Sequence, residues 1–388
     1  MLGLPSATWT AFLQAATCWV AFLAAGSTAT TTLAATIAAK TDTPPTPPCA
    51  EASRVAKGGS SNPALVKSEA TFPAESLRST IEESVLNRLA TSIRDHSEMV
   101  ERGERRPRPF VTLTYAQSID GSIAAADKSQ VLLSGSESRT MTHGLRSIHD
   151  AILVGAGTVR QDNPRLNIRH WPPGNPPVSP AGNSGMIRTN HKSDVQEGTH
   201  TADPPRAVIL AGNLSSLPRG MRLGGAVIFT DLSSSAAWRW LAEWGSRSRE
   251  GSEDRAATDF LVVHCRLRAD GRCDLGDCLD KLYSMGFRSL MVEGGATVIS
   301  SFLRGCDEGE RGTSDGRSED KQLVDRVVIT IAPVFVQGYN VLATAASACG
   351  APATHTSGFP LPLLDVGYVR LGQDLIVVGA PARCDDAL

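Results

Sequence analysis

Two glycine-rich junctions, each following a short apolar run, and the strand and helix patterns that alternate after them predict an α/β fold. At the first junction Ala151-Ile152-Leu153-Val154 is a continuous apolar run, too short for a helix and suited to a strand covered on both faces. It leads into Gly155-Ala156-Gly157 and Thr158, and then into Asp162-Asn163-Pro164, a turn flanked by Arg165 and Arg169. At the second, Leu290-Met291-Val292 leads into Glu293-Gly294-Gly295, and Ala296 to Leu303 continues with helical spacing. Glycines at such places let a backbone approach an anion, and the free N–H groups of a starting helix attract it. Each junction also reads as a plain strand-to-helix turn, and Glu293 either as a helix-cap carboxylate or as a group facing the crevice beyond the strand ends. Neither is a Rossmann fingerprint, because Arg160 stands where the third glycine of G-x-G-x-x-G belongs.

The elements follow in order. Residues 1–73 read as a disordered extension: Trp9 to Ala25 is apolar, but the first basic residue is Lys40, and Thr41 to Ala64 is dominated by Thr, Pro, Ser and Gly. A signal sequence is the other reading of that stretch, and a cytoplasmic protein is expected. Residues 74–104 form a helical lead-in, with Leu77, Ile81, Val85, Leu89 and Ile93 on one stripe. The basic run Arg102, Arg105, Arg106 and Arg108 reads as a solvated linker. Residues 105–388 form the main domain. Val111, Leu113, Tyr115, Gln117 and Ile119 alternate with Thr112, Thr114, Ala116 and Ser118 as a strand turned by Asp120-Gly121. Asp120 either faces a pocket or bonds its own turn.

Ser134-Gly135-Ser136-Glu137 reads as a capping box that opens a helix to His149, with Met141, Leu145 and Ile148 inward. Arg139, His143 and Arg146 share another face of it, either solvated or turned to a ligand. Strands are expected at Ala207 to Ala211, Ala226 to Thr230, Phe260 to Val263, Ser289 to Val292 and Val324 to Ile331, and a helix at Leu275 to Met285. A closing hairpin from Leu363 to Ala380 turns at Gly372-Gln373-Asp374. Residues 172–205 and 305–320 are rich in Pro, Gly, Asn, Ser, Glu and Asp and read as surface insertions.

Composition narrows the function. The chain has 388 residues, 41% of them hydrophobic, which is enough for a sizeable core. A net charge of −2 gives no footing for nucleic acid, and no internal stretch is apolar for long enough to span a bilayer, so neither a nucleic-acid nor a membrane partner is expected. The eight cysteines contain no C-x-x-C pair and no nearby histidines complete a zinc set, so free thiols and no metal are expected, with Cys265 and Cys278 in the core.

Three stretches taken together, VTLTYAQSIDGSIA from Val111, THGLRSIHDAILVGAGTVRQDNPRLNIR from Thr142 and MVEGGATVI from Met291, carry a resemblance. The chain resembles the fungal and archaeal 2,5-diamino-6-ribosylamino-4(3H)-pyrimidinone 5′-phosphate reductases of riboflavin biosynthesis, whose domain is also the reductase half of the bacterial bifunctional deaminase-reductase. The resemblance implies a three-layer α/β/α domain, like that of dihydrofolate reductase, with a mostly parallel central sheet and usually a homodimer. It implies NADPH-dependent reduction of the ribosylamino group of a phosphorylated pyrimidine to the ribitylamino product. Thr158, Asp162, Gly294, Gly295, Ala296, Thr297 and Val298 match cofactor contacts; Arg146 and Arg169 match residues that hold the substrate phosphate, and Leu166 and Glu293 match substrate-lining positions. No proton donor is assigned.

Asn163 and Ser122 depart from common family residues at these places, a second aspartate and a basic residue respectively. No H-x-E and P-C-x-x-C zinc signature precedes Pro107, so the deaminase half is not expected. The alternatives are a dihydrofolate-reductase-like enzyme acting on another small substrate and a catalytically silent nucleotide-binding domain.

Overall fold

The computed structural model describes residues 74–171, 204–218, 221, 225–247, 260–305, 322–341 and 361–382. The expectations for residues 1–73, for five of the cysteines and for nearly all of both insertions lie outside these. The lead-in is helical: α1 (Ala74–Ile81) passes through a π turn (Glu82–Leu86) into α2 (Asn87–Glu101). Its stripe repeats every four residues, which drifts by about 40° per step on a helix of 3.6 residues per turn. The wider π turn takes up part of that drift, and Ile81, Val85, Leu89 and Ile93 all stay buried.

Eleven strands follow among the described residues. They are β1 (Phe110–Ser118), β2 (Ser122–Ala124), β3 (Ala151–Gly155), β4 (Arg206–Leu210), β5 (Val227–Thr230), β6 (Leu261–His264), β7 (Ser289–Val292), β8 (Arg326–Ala332), β9 (Tyr339–Asn340), β10 (Leu363–Leu371) and β11 (Asp374–Pro381). Nine of them form one sheet in the order β10-β11-β8-β1-β7-β3-β4-β5-β6. The seven strands from β8 to β6 are parallel, and the β10–β11 hairpin adds antiparallel to β8. The hairpin turns on Gly372 at φ +61°, followed by a residue of ordinary φ, the Gly-X pattern of a two-residue turn.

The helices between strands are α3 (Ser136–Ser147), α4 (Ala156–Asp162), α5 (Ser235–Arg247), α6 (Leu275–Ser284) and α7 (Ala296–Arg304). From β1 through β3 to β6 the chain moves outward across the sheet; from β6 to β7 it returns between β1 and β3. Right-handed crossovers place helices of the two directions on opposite faces. Accordingly Met141, Leu145, Val159 and Trp240 share one core with Ile152, Val154, Met291 and helices α1 and α2. Leu279, Leu282, Ile299 and Phe302 share the other with Leu153, Leu290 and Val292. The result is a three-layer α/β/α domain of dihydrofolate-reductase type, with strands buried on both faces, as the continuous apolar runs require.

Several local expectations are corrected. Helix α3 begins at Ser136 with Gly135 as its N-cap and no side-chain cap bond, so Ser134 and Glu137 form no capping box; the Gly135 N–H instead donates to Asp374 Oδ2 at 2.8 Å. Helices α4 and α5 and strands β2 and β9 go beyond the sequence expectation. The basic run is not a solvated linker. Arg108 forks onto Asp325 at 2.6 and 2.8 Å, Arg105 reaches the same carboxylate at 3.4 Å, and Arg106 pairs with Asp280.

Asp325 also accepts the Val111 N–H at 2.8 Å, and His96 Nε2–H donates to the Arg108 carbonyl at 2.9 Å. Burial pushes the Asp325 carboxyl up, but Arg108's charge and hydrogen bonds hold it below the ordinary value. Burial likewise lowers His96, which stays neutral and accepts from Arg105 through Nδ1. Helix α2, the lead-in and the starts of β1 and β8 are thus fastened to one carboxylate. Asp325→Ala removes the buried carboxylate that Arg108, Arg105 and the Val111 N–H share and should lower stability by about 3–5 kcal/mol, measured by urea unfolding. A loss under 1 kcal/mol would show that the network carries little.

Candidate active site

Parallel pairing of β3 with β7 sets Leu153 opposite Val292, so both glycine junctions emerge side by side at the C-terminal edge of the sheet. The Glu293 N–H donates to the Leu153 carbonyl at 3.0 Å, and the Gly295 N–H to Thr158 Oγ1 at 3.1 Å, joining the two turns directly. The glycines have different tasks. A Cβ on Gly294 would sit 2.4 Å from Val298 Cβ, and one on Gly155 2.8 Å from Val298 Cγ2, so these two let α7 pack onto the strand ends. A Cβ on Gly157 would meet nothing within 4 Å, so this exposed glycine borders open space.

Helix α7 starts at N-cap Gly295 with no side-chain cap, leaving its first N–H groups for a ligand or solvent. Ala296 is buried and Thr297 exposed in that first turn. At the first junction the chain takes the strand-to-helix form: its residues wind into α4, with Thr158 in the first turn and Asp162 exposed at the end. Asn163, at φ +40°, then caps α4 in the left-handed conformation.

Helix α3 straps down the segment that follows α4. Arg146 donates from Nε and Nη2 to the two Glu293 oxygens, each at 2.7 Å, and from Nη1 to the Asn167 carbonyl at 2.8 Å. His143 Nδ1 accepts the Arg169 N–H at 3.0 Å. A Cβ on Gly144 would come within 2.9 Å of the Trp171 ring, and Arg78 lies over that ring at 5.5 Å from its centroid. Between these ties Leu166 is buried with φ +48°, a conformation costly for leucine and sustained by the surrounding contacts. Asn167 Oδ1 is buried without a hydrogen-bond partner.

The two arginines expected to hold a phosphate therefore differ. Arg146 has its planar fork filled by Glu293, and both side chains are nearly buried, so it positions the carboxylate rather than offering a free cation. Arg169 is exposed, and its guanidinium has no partner among the described residues, although its backbone is fixed. Arg165 is exposed as well.

Asp120 belongs to a different structure. It accepts from Ser118 Oγ, Ser122 Oγ and the N–H groups of Val336 and Gln337 at 2.6–3.0 Å, clamping the β1–β2 turn to the loop after β8. The Ser118 hydroxyl and the backbone donors hold its carboxyl far below the usual range. That is the turn-bonding reading of Asp120.

The sequence reading missed three features: the His143 tie, whose signal was the histidine on the α3 face beside Arg146; the orphaned Asn167 Oδ1; and, on another part of the sheet, the convergence of buried Cys273 on Cys265 and Cys278, the two cysteines expected in the core.

Comparison with known proteins adds independent findings. The model of the family described as RibD C-terminal domain matches residues 109–306. The chain is similar to the 2,5-diamino-6-ribosylamino-4(3H)-pyrimidinone 5′-phosphate reductase of Debaryomyces hansenii, 32% identical over 233 residues, 59% of this chain and 76% of that protein. It is also similar to the protein of the same name from Candida glabrata, 52% identical over 237 residues, 60% of this chain and 78% of that protein. Among solved structures, a RibD of Acinetobacter baumannii aligns with TM-score 0.46 at 19% identity, covering 71% of this chain and 58% of the other.

The strap is sensitive to acid. Burial first, then the charges of Arg146, His170 and Arg169, push His143 down from 6.5 to about 4. Between those values the unfolded chain takes up a proton that the folded ring refuses. The stabilisation is therefore complete above pH 6.5 and lost as pH falls toward 4, a difference of roughly 2–3 kcal/mol at most. Urea unfolding at pH 7 and pH 4.5 should show a smaller acid loss in His143→Gln than in the parent; equal losses would remove His143 from the account.

Proposed function

The chain belongs to the RibD C-terminal domain family, and from that premise we propose that it reduces 2,5-diamino-6-ribosylamino-4(3H)-pyrimidinone 5′-phosphate to its ribitylamino product, with NADPH as reductant. The observation that carries this reading is the joining of two glycine-edged strand ends to a charged strap, through Gly295–Thr158 on one side and Glu293–Arg146 on the other. A reductase of this kind needs a dinucleotide and a phosphorylated sugar held against each other, and these two features supply a place for each.

The residues present fit the cofactor. Gly157 borders open space, a Cβ on Gly295 would press to within 3.1 Å of Thr158 Oγ1, and α7 begins uncapped. Thr158, Asp162 and Gly294 to Val298 would hold it, with the α7 N–H groups suited to a phosphate. When bound, the nicotinamide supplies a hydride to C1′ of the ring-opened imine, and a proton completes the amine.

The chain's own work is to hold and orient. Arg146 holds Glu293 fixed at the end of β7, with lone pairs left to accept from substrate hydroxyl or amino groups. Leu166 forms an apolar wall beside it, and Asn167 Oδ1 is an acceptor that a substrate donor would satisfy. Arg169, two residues further on and free at its guanidinium, grips the 5′-phosphate.

We also propose a homodimer. Strand β10 is a sheet edge on which Leu364, Val366 and Tyr368 are 43%, 36% and 69% exposed, an apolar edge that a monomer would leave open to pairing. Light scattering should give about twice the chain mass, and Tyr368→Glu should halve it; a parent that scatters as a monomer refutes the dimer.

The decisive assay follows NADPH oxidation with the ribosylamino-pyrimidine phosphate, with dihydrofolate and with neither, and turnover with the first alone is expected. Arg169→Ala should raise the KM for that substrate about ten- to a hundredfold, because a charge-assisted contact is worth roughly 1.5–3 kcal/mol. Lysine there should restore part of the loss, since a point charge replaces a fork. The KM for NADPH should hardly change; if it alone rises, the two phosphates have been assigned in reverse.

A further inference from the structure

Away from this site, three cysteines from different elements converge. Cys265 follows β6 and donates its N–H to the Thr230 carbonyl at 2.8 Å. A tight hairpin then reverses the chain: Arg268 and Arg272 are joined by a 2.7 Å bond, Gly271 turns at φ +75°, and Leu267 bridges to Cys273. Asp274 ends the hairpin by donating its N–H to the Arg266 carbonyl at 2.9 Å, and it caps α6, whose first turns carry Cys278 inward. The three side chains are 0%, 5% and 1% exposed, and no disulfide joins them. Their sulfurs all lie within 4.8 Å of one another.

We propose that Cys265, Cys273 and Cys278 form a three-thiolate site for a thiophilic d10 cation of the Zn2+ or Cu+ type. A triangle of sulfurs with edges no longer than 4.8 Å has a centre at most about 2.8 Å from each, and inward shifts of about half an ångström give the roughly 2.3 Å of a metal–thiolate bond. Soft sulfur donors select such ions over hard ones. The backbone bonds of the hairpin and the Asp274 cap fix all three Cβ positions before any ion arrives, and the start of α6 favours negative charge on Cys278.

Binding forms three metal–sulfur bonds and releases one proton per thiol, with no change of oxidation state. Among the described residues no His, Asp or Glu joins the group, which suits trigonal coordination. The spacing Cys-x7-Cys-x4-Cys matches no common zinc signature, so the hairpin that closes it had to be seen. Ordinary core packing of three thiols is the competing account.

The test uses the full chain, reduced and metal-free, titrated with Cd2+ while following thiolate-to-metal charge-transfer absorption. One equivalent per chain should bind and raise the melting midpoint by several degrees. Cys273→Ala and Cys278→Ala should each weaken binding at least tenfold and abolish the rise. A variant with Cys18, Cys49, Cys306, Cys349 and Cys384 all changed to alanine keeps the cluster intact and should retain the band even if the single variants fail to fold. Displacement of Cd2+ by Zn2+ or, under anaerobic conditions, by Cu+ identifies the preferred ion. Absence of the band in the parent, its loss with the five outlying cysteines, or failure of both ions to displace Cd2+ would overturn the site.

Discussion

Parallel pairing of β3 with β7 constrains everything else in the proposed active site. Because Leu153 lies opposite Val292, the two chains leave the sheet at the same height, and each must turn at once into a helix. Two helices can start side by side there only if the backbones nearly touch, which is why Val298 fills the space of two absent Cβ atoms, at Gly155 and Gly294. The same closeness brings the Gly295 N–H onto Thr158 Oγ1. The proposed ligand-binding edge is thus a consequence of strand register: β7 returns between β1 and β3 and reverses the direction of winding, and a crevice opens where winding reverses.

Charge is handled differently at the two edges of the sheet. At the N-terminal edge, Asp325 draws Arg105, Arg108 and the Val111 N–H together, and every member is hydrogen-bonded. At the C-terminal edge, Arg146 and Glu293 satisfy each other across α3 and β7, but Asn167 Oδ1 is left without a partner and Arg169 extends outward. A saturated network specifies position, whereas an incomplete one is poised for a ligand. This difference, rather than the number of charges, separates the structural cluster from the one proposed to bind substrate.

The sequence made much of this legible where local pattern and tertiary environment agree. Continuous apolar runs marked β3 and β7 because a parallel central strand has no solvent face, and their glycines marked the turns because few other residues allow such close approach. Helix α5 was less legible: Trp238 is exposed at 60% on it while Trp240 is buried, which blurs the amphipathic stripe. The basic run misled because its partners, Asp280 and Asp325, are more than 170 positions away, and sequence proximity says nothing about them. Family likeness pointed to Arg146 and Arg169 alike, yet only coordinates reveal that one fork is already filled.

Filling that fork has a consequence for how the site keeps its shape. A bidentate pair at 2.7 Å on both arms, with both side chains nearly buried, holds Glu293 in one orientation. The third arm, on the Asn167 carbonyl, makes the same guanidinium a support for the segment that carries Leu166 and Arg169. His143 supports that segment from the same helix while staying neutral, since a second cation beside Arg146 would be repelled and desolvated. Helix α3 therefore couples the carboxylate at the strand end to the cation on the strap. Such an arrangement suits an enzyme that must hold two separate phosphates at a fixed distance while only a hydride and a proton move between their carriers.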